Sequence, residues 1–134
     1  MATWNDIKGY IQKQYPNAQQ IELLKELNME GFEFELETGK NRTQKICVQK
    51  VPFGIEMIQI LSLIGKIERD KVDFALEKAI YLPFGGLIKM HGMHFIRENV
   101  IIDNLSPDKL TMLIESIAGF ADALEEEFIG GDAN

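Results

Sequence analysis

A single cysteine, Cys47, stands in 134 residues, so no intramolecular disulfide can form and nothing points to an oxidising compartment. His91 and His94 are the only histidines, whereas a zinc site takes three or four ligands. Positive charge is also scarce. Fourteen Lys+Arg stand against twenty-one Asp+Glu, a net charge of −7. Binding to a phosphate backbone draws on clustered positive charge. The densest basic stretch, Lys40, Arg42, Lys45 and Lys50, is scattered among polar residues and reads as a solvated loop and strand edge. No nucleic-acid partner is expected. The longest apolar stretch, Ile55 to Ile64, is broken by Glu56 and Gln59 and is about half a membrane span, so no membrane partner is expected either. Met1 to Asp6 lacks a basic segment followed by an apolar one, so no signal peptide is visible. A cytoplasmic protein is the expectation.

What is present is an ordinary globular balance: 46% hydrophobic and 26% charged residues, in a length that suits one domain, 1–134. Thr3 can cap a first helix, with Asp6 in its first turn. Trp4, Ile7, Ile11 and Tyr15 recur at helical spacing until Pro16 ends the run. Residues 17–30 are ambiguous, because Ile21, Leu24 and Leu27 are spaced like a helix face in a short segment, and they read as loop or irregular extended chain. From Phe32 the period becomes two: Phe32, Phe34 and Leu36 alternate with Glu33, Glu35 and Glu37, as in a half-buried antiparallel strand with a solvated acidic face. Thr38 to Asn41 is a turn, Thr43 to Val51 a second strand, and Pro52-Phe53-Gly54 a second turn.

The third strand, Ile55 to Ile64, is apolar on both faces: Ile55, Met57 and Leu61 on one, Ile58, Ile60 and Ile64 on the other. Such a strand is central, or is covered on its second face by a helix or a partner subunit. A second helix opens near Asp70, with Val72, Leu76, Ala79 and Ile80 inward and Lys71, Asp73, Glu77 and Lys78 outward. Strands Leu87 to Met90 and Met93 to Arg97 form a hairpin through His91-Gly92, and Val100 to Leu105 is an apolar connector. Ser106-Pro107-Asp108 starts a last helix. Its stripe runs through Leu110, Leu113, Ile114, Ile117, Ala121, Leu124 and Phe128, widened by Met112 and Phe120, and ends in a solvated Glu125-Glu126-Glu127. The fold class predicted is α+β, a two-layer sandwich of order α-βββ-α-ββ-α with an antiparallel five-stranded sheet.

Chemistry-bearing motifs are few. Gly65-Lys66-Ile67 is not a phosphate-binding loop, and no three-glycine dinucleotide fingerprint occurs. Cys47 lies in an alternating run with no histidine placed beside it, so a buried or half-buried thiol is expected. His91 and His94 flank a turn with Glu98 nearby, but alternation puts the two imidazoles on opposite sides, and a solvent-facing hairpin tip is preferred to a metal site. Pro83-Phe84-Gly85-Gly86 reads as a helix stop and tight turn. Its sharper reading is partner binding, with Phe84 as anchor and Gly85 and Gly86 allowing close backbone approach.

Three stretches carry a resemblance: Ile58 to Ile67 with the helix after it, Leu82 to Leu87, and Asn104 to Leu110. Over about residues 31–129 the chain resembles the YbjN-type family, which has the type III secretion chaperone-like fold. The resemblance implies a five-stranded antiparallel sheet under helices, commonly a homodimer, with no catalytic residue to carry over. In the secretion chaperones such a dimer binds an extended segment of a partner protein.

The functional expectation is a non-catalytic, homodimeric, protein-binding domain, chaperone-like or regulatory, without cofactor or metal. The dimer is expected at Met57, Ile58, Ile60 and Leu61, with the second helix as the other possibility. Partner contact is expected at Phe84, Gly85 and Gly86 and along the sheet edge, for an extended client segment. The alternative is a small ligand- or metal-binding domain or enzyme using His91 and His94.

Overall fold

The computed structural model describes residues 1, 3–24, 29–39, 41–51 and 54–130. The elements are α1 (Trp4–Gln14), β1 (Gln19–Leu24), β2 (Met29–Gly39), β3 (Arg42–Val51), β4 (Met57–Gly65), α2 (Val72–Lys78), β5 (Gly86–Met90), β6 (Met93–Ile101) and α3 (Pro107–Phe128). Single turns of 3-10 helix, Arg69–Lys71 and Ala79–Tyr81, flank α2. The strands form one antiparallel sheet in the order β1-β2-β3-β4-β6-β5.

The α+β class and antiparallel sheet agree with the sequence, but the sheet has six strands rather than five. The additional strand is β1, in the segment read as loop. It pairs with β2 from Gln19↔Glu33 to Leu24↔Met29. Its alternation is only Gln20-Ile21-Glu22-Leu23, too short to outweigh the helical spacing of Ile21 and Leu24. The connector reading of Val100 is also corrected: β6 continues to Ile101 because it pairs with β4 as far as Met57↔Ile101. Lys40, Pro52, Phe53 and Leu27 lie outside the described residues.

Local chemistry sets both long helices. Thr3 and Asp6 make reciprocal side chain to backbone bonds at the start of α1, and Ser106 Oγ accepts from the Lys109 N–H at 3.1 Å with Pro107 in the first turn of α3. Trp4, Ile7, Ile11 and Tyr15 are buried as their spacing predicts. They lay α1 on β2, where Tyr15 stacks on Phe34 at 4.3 Å between ring centres and Trp4 leans on Phe32 at 6.1 Å. The α3 stripe from Leu110 to Phe128 is buried against β2, β3, β4 and β6, so one core lies between the helices and a single face of the sheet.

Two charged residues of α3 are buried, contrary to their type. Asp122 faces β3, where Arg42 donates to its Oδ1 through Nε at 3.1 Å and a terminal nitrogen at 2.9 Å. Glu125 is 3% exposed, so the acidic end of α3 is solvated only in part. Glu127 instead accepts from Lys78 of α2 at 2.6 Å. The α2 segment packs on this end of α3 through Phe74 against Phe128.

Candidate functional site

The imidazoles and the thiol do not converge. His91 occupies the exposed hairpin turn in a left-handed conformation (φ 52°), followed by Gly92 at φ 80°. His94 is buried rather than at a solvent-facing tip, and its Nδ1 accepts the Ile67 N–H at 3.2 Å. Glu98 accepts from the Gly85 N–H. Glu98 lies four positions along β6 from His94, about 13 Å at strand rise. Cys47 lies on the opposite face of the sheet, and burial, then the Glu33 charge, pushes its thiol up to about 12, which leaves it protonated and unreactive at neutral pH. Among the described residues no group of three His, Cys, Asp or Glu is arranged to hold a metal ion.

The His94 bond has a measurable consequence. Burial first, and then the Lys89 charge, lower its pKa below the ordinary 6.5, against a smaller opposing bond from the Gly65 backbone. Between the lowered folded value and 6.5 the unfolded chain binds more protons than the folded one. Stability is therefore expected to be full above about pH 7 and to fall as pH drops through about 6.5. Urea titrations from about pH 7 to 5.5 check this, with the slope expected to be largely lost in His94→Gln.

The turn expected to bind a partner is largely spoken for within the chain. Phe84 packs on Phe120 of α3 with ring centres 5.6 Å apart. Gly85, at φ 83°, lies beneath α3: a β-carbon there would sit 2.8 Å from Ile117 Cδ1 and 3.1 Å from Ile96 Cγ2. Of Phe84, Gly85 and Gly86, only Gly86, the first residue of β5, is exposed. The residues expected in the dimer divide by parity. Ile58 and Ile60 point to the helices and are completely buried, which corrects their assignment to a subunit contact. Met57 and Leu61 stand on the other face.

That other face carries no helix among the described residues. Leu63, Phe95 and Ile88 align across β4, β6 and β5, with Met90 and Met93 beyond them. Toward β2 the face turns charged, through Glu33, Glu35 and Glu37, with Lys45 bound to Glu33 at 2.9 Å. Arg42 and Lys45 of the basic stretch are thus both engaged in ion pairs within the chain.

Four exposed apolar side chains lie on α2 and the turn after it, Phe74 53%, Leu76 52%, Ile80 79% and Tyr81 83%, while Ile55 at 58% and Ile101 at 55% are exposed elsewhere. Leu76 and Ile80, expected to face inward, face solvent, and Ala75 is the buried residue instead. Ile80 lies in the 3-10 turn after α2, at about 3.0 residues per turn, and so falls out of phase with an α-helical stripe. The four belong to one stretch of eight residues, and each is more than half exposed.

The chain matches no family model, and no curated protein matches it. The stretches that carry the YbjN-type resemblance fall on β4, on the Leu82–Leu87 turn into β5, and on the entry to α3. No helix among the described residues is long and apolar enough to cross a membrane.

Proposed function

We propose that this chain is a non-catalytic, homodimeric protein-binding domain of YbjN-like, secretion chaperone-like type, acting in the cytoplasm as a chaperone or regulatory partner. The observation that carries the reading is the ridge of Phe74, Leu76, Ile80 and Tyr81, apolar surface that folding of one chain leaves in water. Exposed apolar side chains that include aromatic anchors are a feature of protein association sites. The ridge supports the second helix, rather than Ile58 and Ile60, as part of the subunit contact. The helix-free sheet face, with the half-buried Met57, Leu63 and Phe95, supports docking of an extended client segment.

Introducing charge on the ridge tests the reading. Ile80→Glu and Tyr81→Glu each place a carboxylate where the contact would exclude water, and each is expected to weaken dimerisation at least about thirtyfold by sedimentation. Both positions are exposed, so the circular dichroism spectrum and urea midpoint of the monomer are expected to stay unchanged. A dimer equally tight in both variants removes the ridge from the contact.

A further inference from the structure

We infer that two copies of the chain join through β5, edge to edge, in one specific register centred on Ile88. The inference rests on the dimeric reading above and adds the element and the pairing. Its starting point is the hairpin. Met90 and Met93 flank a two-residue turn whose central residues, His91 and Gly92, both have positive φ, the type I′ geometry. In such a hairpin the flanking pair is hydrogen-bonded, and bonded and non-bonded pairs then alternate down the ladder. Met90, Ile88 and Gly86 therefore turn their N–H and C=O toward β6. Leu87 and Lys89 turn theirs outward, along the free edge of the outermost strand of the sheet.

An antiparallel partner strand must bond those outward groups. Three two-fold symmetric registers do so. Pairing Lys89 with its own copy sets two ammonium groups opposite each other and pushes Leu87 against the turn at His91. Pairing Leu87 with its own copy puts Lys89 opposite Gly85, which is held under Ile117 at φ 83° and is not extended. The third register pairs Leu87 of each copy with Lys89 of the other. It makes two hydrogen-bonded pairs, four backbone bonds, and lets each lysine stem lie along a leucine.

This register puts Ile88 opposite its own copy in a close, non-hydrogen-bonded pair. Ile88 stands on the helix-free face in line with Phe95 and Leu63. The row Leu63-Phe95-Ile88 then continues through the axis into the same row of the second copy, across a twelve-stranded sheet. Charge favours a second copy as the occupant: β5 carries no carboxylate in a chain of net charge −7, so two copies meet where like acidic charge is absent. Lys89, a residue type that ordinarily guards a free edge, here selects one register. A stable dimer buries about 800 Å² on each partner. The strand alone supplies part of this, and Ile80 and Tyr81, five to six residues before β5 begins in the chain, offer further exposed apolar surface.

Two variants test the pairing. Lys89→Pro deletes an outward N–H and leaves the β6 ladder untouched, so the monomer fold is expected to survive while dimerisation weakens at least about tenfold. Ile88→Cys, in a Cys47→Ala background, is expected to oxidise to a disulfide-linked dimer as the major species, because the close pair matches disulfide geometry. Met90→Cys, opposite Gly86 of the second copy, is expected to stay mostly unlinked. If the wild-type chain is dimeric but Lys89→Pro leaves it so and Ile88→Cys stays unlinked, the strand pairing is overturned and the dimeric reading stands. If the wild-type chain is monomeric throughout, both are overturned.

Discussion

Replacing Gly85 with alanine is expected to cost about 2–5 kcal/mol of folding stability, one of the two largest single-residue effects predicted for this chain. Two costs add. At φ 83° an L-side chain meets its own backbone, at about 1–2 kcal/mol. The new methyl group also falls 2.8 Å from Ile117 Cδ1 and 3.1 Å from Ile96 Cγ2. Both neighbours are completely buried, so neither yields without disturbing the core. Overpacking of that kind costs about 1–3 kcal/mol. Chemical denaturation of the variant checks the value, with Gly86→Ala as the control, since a β-carbon there meets nothing within 4 Å. A partner-binding role for Gly85 alone would leave the monomer's stability unchanged. The loss expected here marks the glycine as the hinge between the α2 segment and β5, held down by the Glu98 bond.

Ile60→Ala is expected to cost about 2–5 kcal/mol, at any protein concentration. Ile60 lies in the middle of β4 between Val48 and Glu98, its side chain wholly beneath the helices. Truncation removes buried methylenes and leaves a cavity that a central strand cannot close by moving. Met57→Ala, on the helix-free face of the same strand, is expected to cost about 1 kcal/mol or less. Urea titration of the two variants at two widely separated concentrations makes the comparison. An Ile60 effect that vanished on dilution would return that residue to a subunit contact.

Those residues show how far the sequence could be read. The alternation in Ile55 to Ile64 separated Met57 and Leu61 from Ile58, Ile60 and Ile64, and the structure keeps that division. Parity assigns residues to faces, and it is silent on which face a chain covers with its own helices. The capped helices and the His91-Gly92 hairpin were legible because their signals are local, a hydroxyl before a first turn and a glycine at positive φ. β1 was not, since its alternation is too short to outweigh the helical spacing of Ile21 and Leu24. Glu125 belongs by type to a solvated acidic end, yet it is buried, and nothing local marks Asp122 as buried because the partner that holds it, Arg42, lies eighty positions away. The ridge on α2 was misread for a related reason. Val72, Leu76, Ala79 and Ile80 fit a helical face, but the helix ends at Lys78, Ile80 sits in the 3-10 turn after it, and the short α2 buries Ala75 while Leu76 stays exposed.

The account depends most on association of the chain with itself. The direct measurement is the mass of the wild-type protein by sedimentation equilibrium from high nanomolar to high micromolar concentration. The prediction is a reversible, concentration-dependent rise from 15.3 kDa to twice that value, with no larger species. A mass that stays at 15.3 kDa across the range would contradict it.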